Sequence, residues 1–177
     1  MLGVEFWARG YFGQLGVRLR VKRTNIDLPF AYEKDYSPKS KESYLQMVIS
    51  FLESDYKRWR NETKVVFVPA HVVDNEKFLS GVANAICYVN GLAIVWGESN
   101  MYGRNDGEKK TGFAVSHELG HLFGSGHVNN SLMDTAAGYI FNQKTIEDSS
   151  FSLRWPKGMR QKIKRCFKGG LVKGPLL

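Results

Sequence analysis

The chain has 177 residues, 43% of them hydrophobic and 24% charged, a balance that reads as one globular domain, residues 1–177, with a sizeable core. No run of about 20 apolar residues is present, which excludes a membrane-spanning helix. The formal net charge of +8 belongs to one end: of 25 bases, eight (Arg154, Lys157, Arg160, Lys162, Lys164, Arg165, Lys168, Lys173) fall in residues 149–177 without a single acid, leaving 17 bases against 17 acids elsewhere.

Residues 1–16 mix Phe6, Trp7, Tyr11 and Phe12 with glycines at 3, 10, 13 and 16. This is the composition of an irregular or strand-forming lead segment that packs its aromatics on the domain, with a blocking pro-segment as the alternative. The start lacks the basic, apolar and small-residue regions of a secretory signal, so the expectation is an intracellular protein, one exported by a non-classical route, or one whose signal has been removed. Val17-Arg18-Leu19-Arg20-Val21 alternates with period two and predicts a first, half-exposed strand.

Leu45, Val48, Ile49, Leu52, Tyr56 and Trp59 recur at helical spacing and predict a long amphipathic helix from near Pro38 to about Arg60, its stripe in the core. Lys64–Pro69 is a short apolar run ended by proline, a buried second strand. His71 follows alone in a loop and is read as a solvated residue, not a ligand. Two β-prone segments, 81–90 and 91–97, flank Asn90-Gly91, a strong turn signal. Residues 99–112 are polar and turn-rich, which predicts a surface loop, with Thr111 as N-cap of the helix that follows. Near the end, Met159, Ile163, Cys166 and Phe167 share one face of a last helix whose other faces are basic, and residues 169–177 form a loosely held tail. Cys87 and Cys166 stand in no metal spacing, and two buried free thiols are expected over a bridge.

The chemistry concentrates in His117-Glu118-Leu119-Gly120-His121-Leu122-Phe123-Gly124-Ser125-Gly126-His127. Positions four apart lie one above the other on a helix, so His117 and His121 can aim two imidazoles at one point. Val115, Leu119 and Leu122 give the same helix a core-facing stripe. Gly124 can take the positive φ that commonly ends a helix and turn the chain back to deliver His127. Three imidazoles with a water in the fourth position make a catalytic zinc site, and Glu118, about 100° round the helix, stands where a carboxylate can serve that water as general base without binding the ion. By shuffling this composition, a bare HExxH arises in roughly one sequence in two hundred; the extended form falls to about one in 10⁵.

HExxHxxGxxH from His117 to His127, followed by Ser131-Leu132-Met133-Asp134, resembles the metzincin clan of zinc metallopeptidases, whose motif is followed by a turn carrying a methionine. The resemblance implies an α+β, zincin-like fold: a twisted mixed sheet with a long backing helix, an active-site helix and a C-terminal helix. It implies one catalytic zinc ion on His117, His121 and His127, Met133 as a hydrophobic floor beneath it, and an endopeptidase acting as a monomer on an extended peptide or protein. Leu92, Ala93, Ile94, Val95 and Trp96 take the place of the clan's edge strand along the cleft, where a substrate strand would pair. Tyr139, Ile140 and Phe141 stand near the wall that receives the side chain after the cut bond, although a core role is equally open to them. Val128 after the third histidine, Thr135, and the presence of only two cysteines match no subfamily pattern, and the subfamily stays open.

Two competing readings use the same residues. One is a non-catalytic zinc-fold binding module whose basic C-terminal helix holds nucleic acid or another anionic partner, against which the intact Glu118 counts. The other is a zinc hydrolase of a non-peptide amide.

Overall fold

A computed structural model describes residues 2–22, 46–48, 50–51, 63–68, 72–74, 77–79, 81–83, 92–96, 104–134 and 154–168. Helix α1 (Leu2–Gly13) opens the chain. Among the described residues five strands follow: β1 (Lys64–Val68), β2 (Val72–Asp74), β3 (Lys77–Leu79), β4 (Gly81–Ala83) and β5 (Leu92–Trp96). Helix α2 (Arg104–Leu122) carries the histidine motif, and helix α3 (Met159–Lys168) closes the described fold. Among the described residues, no helix is long and apolar enough to cross a membrane.

The sheet is mixed, with strand order β1-β5-β4. β1 and β5 run parallel from Lys64↔Leu92 to Val68↔Trp96. β4 lies antiparallel to β5 from Gly81↔Val95 to Ala83↔Ala93. β2 and β3 form a separate antiparallel pair. Ala93 and Val95 present one face of β5 to a core completed by α1, α2, the segment around Met133 and α3. Alternation along an extended strand is what sends these two side chains the same way.

The lead segment departs from expectation, because residues 2–13 are helical. Val4, Ala8, Tyr11 and Phe12 fall at i, i+4, i+7 and i+8 and are all buried, so a helical stripe underlies the glycines. Glycine weakens a helix by about 1 kcal/mol relative to alanine, and here packing overrides that. Tyr11 and Phe12 stack edge-on to Phe113 and Phe123 of the α2 region at centroid distances of 6.1 and 6.0 Å. Phe12 meets Trp155 at 4.8 Å. The Trp155 indole N–H donates to the Tyr11 carbonyl at 2.7 Å, satisfying a buried donor. The expected packing of aromatics on the domain therefore holds, but on a helix.

Three other expectations are corrected. Residues 17–22 form no strand; Val17 and Leu19 pack on the core while Arg18 and Arg20 are exposed, so the alternation is real but no ladder accompanies it among the described residues. The predicted surface loop over 99–112 is helical from Arg104 onward, and Thr111 sits buried inside α2 instead of capping it. The amide-and-glycine content of Asn105 and Gly107 reads locally as a turn, whereas a tertiary contact decides: a methyl group built on Gly112 would lie 2.5 Å from Trp7 Cβ and 2.9 Å from the Val4 carbonyl oxygen. Cys166 is disulfide-bonded, not free; it lies on the buried face of α3, and the chain's other cysteine, Cys87, lies outside the described residues.

Of the long predicted helix, Gln46–Val48 and Ser50–Phe51 are helical and Val48 is fully buried, as its stripe requires. The rest of that helix, His71, the Asn90-Gly91 turn and the tail from residue 169 lie outside the described residues. The predicted second strand is β1, and the predicted last helix is α3, with Met159, Ile163 and Cys166 buried and Arg160, Lys164 and Arg165 exposed.

The close crossing of α1 and α2 generates a prediction. Gly112→Ala forces Trp7 or the α1 backbone to move and should destabilise the fold by about 1–3 kcal/mol, read as a lower urea midpoint with unchanged slope. An unchanged midpoint would show that the crossing is looser than its distances imply.

Candidate metal centre

Helix α2 holds His117 and His121 one turn apart, as the spacing predicts. The helix then ends in a glycine cap. Gly124 has φ 84°, its N–H bonds the His121 carbonyl at 2.9 Å, and the Ser125 N–H reaches back to the Gly120 carbonyl at 3.0 Å. These two bonds define a Schellman motif, which closes the orphan carbonyls of the last turn and reverses the chain. His127 is delivered to the other two rings by that reversal. The ligand nitrogens of His117, His121 and His127 all lie within 4.8 Å of one another.

Two backbone carbonyls fix how the rings are used. His117 Nδ1 lies 2.8 Å from the Leu132 carbonyl oxygen, and His121 Nδ1 lies 2.9 Å from that of Ser125. A carbonyl only accepts, so each ring donates from Nδ1 and keeps a bare lone pair on Nε2. Those two Nε2 atoms are 3.1 Å apart. Facing lone pairs at that distance repel unless a cation lies between them. Two nitrogens each about 2.0–2.1 Å from one tetrahedral zinc would stand about 3.3 Å apart, so the donor set fits such an ion. Carbonyl-anchored imidazoles are also the usual way ligand rings are oriented.

Burial favours the neutral form of His117 and His121. Desolvation holds His117 down at about 4, assisted by the neighbouring His121 and His127 and opposed by the Leu132 carbonyl and Asp134. His121 is lowered as well, chiefly by desolvation, with His127 adding to it. His127 is exposed, on the solvent side of the cluster. Glu118, one residue on from His117, is only 4% exposed, and desolvation pushes its carboxyl up to about 8.

The segment after His127 is closed by its own hydrogen bonds. Val128 N–H bonds the Met133 carbonyl at 3.0 Å, Ser131 Oγ donates to the Val128 carbonyl at 2.7 Å, and the Asp134 carboxylate accepts from Asn130 N–H at 2.6 Å. Asn130 takes φ 55°, a left-handed conformation that asparagine tolerates. The Leu132 N–H bonds the Arg154 carbonyl at 2.8 Å while its own carbonyl holds His117, so the turn connects the segment leading into α3 with His117. Met133 is fully buried and packs on Gly120. A methyl group on Gly120 would run into the Met133 sulfur and come within 3.0 Å of both Met133 Cε and Trp155 Cζ3. Met133 thus lies against the turn of α2 that carries His117 and His121.

Of the predicted site, His117, His121, His127, Gly124 and Met133 come together with Glu118 on the same helix. Leu92, Ala93, Ile94, Val95 and Trp96 do form a strand, but β5 is the middle strand, hydrogen-bonded on both sides by β1 and β4, and cannot add a substrate strand as an edge. Chain order misleads here because β4 precedes β5 yet takes the outer position. Tyr139, Ile140 and Phe141 lie outside the described residues. Sequence reasoning passed over Gly120, Ser131 and Asp134. The first was visible only as an unspecified position in the motif, and the other two form an S-x-x-D pattern of the kind that closes turns.

The opposite shifts of Glu118 and His117 predict a distinctive pH dependence for protein stripped of metal by a chelator. Between about 4.5 and 6.5 the folded chain binds one proton more at Glu118 and fewer at His117 and His121, so the effects oppose one another. Well above 6.5 His117 and His121 are neutral in both states, whereas Glu118 keeps its proton only when folded. Stability should then fall as pH rises to 8, by up to about 2 kcal/mol, measured as the urea midpoint. Glu118→Gln should flatten that fall, and parallel profiles for parent and variant would contradict the assignment.

Comparison with known proteins agrees with this geometry. Residues 4–128, more than two thirds of the chain, match the metallo-peptidase family M12B, reprolysin-like. No curated protein sequence matches. Among solved structures, the chain is similar to a zinc-dependent peptidase from Methanocorpusculum labreanum (strain Z), with 16% identity, a TM-score of 0.55, and coverage of 92% of this chain and 94% of that one. At that identity the likeness is one of fold, an α+β, zincin-like one. With its extended three-histidine motif assembled in space and the family matched over most of its length, this chain belongs to the reprolysin-like M12B metallopeptidases.

Proposed function

We propose that the chain is an endopeptidase that hydrolyses internal bonds of extended peptides or proteins, with one zinc ion held by His117, His121 and His127 and with Glu118 as general base. The observation that carries this reading is the convergence of three imidazoles, two of them locked by carbonyls with Nε2 lone pairs turned to a common point. A zinc ion bound there supplies Lewis-acid polarisation of the peptide carbonyl and a water acidified towards neutrality. That all three donors are nitrogens favours zinc over magnesium or calcium, which take oxygen. The structural neighbour's zinc dependence supports the same choice.

Glu118 takes one proton from water as its oxygen attacks the carbonyl carbon, then returns that proton to the amine nitrogen as the C–N bond breaks. The second proton of the water follows to the same nitrogen, so the products are a carboxylate and an ammonium group. Burial suits this work, since a desolvated carboxylate has a higher proton affinity than a solvated one, and a cation held by the three histidines would keep Glu118 ionised until it takes the proton. Rings tied by Leu132 and Ser125 hold their nitrogens without rotation, so the site is organised before substrate arrives. β4, one of the two outer strands among the described residues and antiparallel to β5, is an edge on which an extended substrate would pair through main-chain hydrogen bonds. Membership of a peptidase family weighs against the binding-module reading.

A diverse peptide pool incubated with the protein and read by mass spectrometry should show internal cuts that a chelator stops and added zinc restores. Glu118→Gln should keep its zinc while turnover falls by about 10²–10⁴-fold. A Glu118 variant that cleaves as fast as the parent would sink the mechanism, and release only of terminal residues would make the enzyme an exopeptidase.

A further inference from the structure

The turn from Gly124 to His127 contains two glycines, and His127 itself is exposed, so side-chain packing does little to hold the third imidazole in place. Glycine gives such a segment more conformational freedom than any other residue. Beyond the two backbone bonds of the Schellman motif, a set of side chains on three successive carbonyls fixes the turn. His121 Nδ1 donates to the Ser125 carbonyl at 2.9 Å, and Ser125 Oγ to the Gly126 carbonyl at 3.0 Å. The Gly124 carbonyl receives Lys162 Nζ at 3.1 Å. Lys162 is the one of these three that reaches in from another element, across 38 residues of sequence from α3.

Helix α3 otherwise divides cleanly. Met159, Ile163 and Cys166 enter the core, and Arg160, Lys164 and Arg165 are exposed. Lys162 is half-buried between these faces and points at the end of α2. The C-terminus of a helix carries partial negative charge on its unsatisfied carbonyls, where a lysine is favourable. Because α3 is anchored by its apolar stripe, the amino group is presented from a fixed base.

We propose that Lys162 is a positioning residue for the metal centre: through the Gly124 carbonyl it holds the Gly124–His127 turn and so the third ligand. This rests on the metal-site reading above. One part of the basic C-terminal end thereby acquires a task inside the molecule.

The test measures zinc affinity of the full chain by competition with a chromophoric chelator, together with the visible spectrum of the cobalt-loaded protein. Lys162→Met should weaken zinc binding by about 10–100-fold and change the cobalt spectrum, Lys162→Arg should restore both, and Lys164→Met, one turn face away in solvent, should leave both unchanged. In a His127→Ala background, where the ligand that Lys162 serves is gone, Lys162→Met should add less than about a twofold loss. If Lys162→Met does not fold, Lys162→Gln, better suited to a half-buried position, carries the same comparison. Parental affinity in Lys162→Met, or in Lys162→Gln where that variant stands in for it, or an equal loss with and without His127, would overturn the proposal. Failure of the parent chain to bind zinc at all would instead overturn the metal-site reading, and Lys162's role with it.

Discussion

Two imidazoles one helical turn apart can serve a common ion only if neither is free to rotate, and here the restraint comes from backbone carbonyls outside the motif's own hydrogen-bond ladder. Leu132 holds His117 and Ser125 holds His121. Each contact does two things. It stops the ring, and by consuming the Nδ1 proton it leaves Nε2 as the donor to metal. The rest of the structure can be understood as the means of bringing those two carbonyls to the right places. The Schellman turn at Gly124 delivers the Ser125 carbonyl and, three residues after Gly124, the third histidine. The hydrogen-bonded segment from Val128 to Asp134 delivers the Leu132 carbonyl.

Both deliveries depend on close approach. Gly120 lets Met133 lie directly against α2, and Gly112 lets α1 cross the same helix further back. Neither glycine is needed for an unusual backbone angle; each is needed because a side chain would hold two elements apart. Behind them Phe12, Phe123 and Trp155 form a continuous aromatic layer, and the Trp155 indole ties that layer to the Tyr11 carbonyl. The metal site therefore stands on a packed base. A close-packed core couples the position of the three histidines to α1 and α3, although neither supplies one of them.

The site was far more legible in the sequence than the fold around it. Four-residue spacing, a glycine that ends the helix and a histidine beyond it are local signals, and a helix converts them directly into geometry. Glu118, one position on from His117, was legible by the same rule. What local reasoning missed is what tertiary contacts decide. The stripe of Val4, Ala8, Tyr11 and Phe12 was present in the sequence, but glycines and aromatics in the same segment masked it. Asn105, Gly107 and Gly112 suggested a loop where packing on α1 extends a helix. Strand order was beyond reach, since nothing in Leu92–Trp96 tells that Gly81–Ala83 will lie outside it. Cys166 shows the same limit, because no spacing in the sequence marks it for a bridge.

Family membership extends through residue 128, the position after the third histidine. The Met133 turn lies beyond that stretch, and its place beneath Gly120 completes the arrangement that the motif begins. The central claim is that these three rings share one ion through nitrogen. X-ray absorption at the zinc edge of the reconstituted protein tests it most directly. The account predicts one zinc per chain with three imidazole nitrogens at about 2.0–2.1 Å and an oxygen completing the shell. A shell containing sulfur, fewer than three imidazoles, or no bound zinc would contradict it.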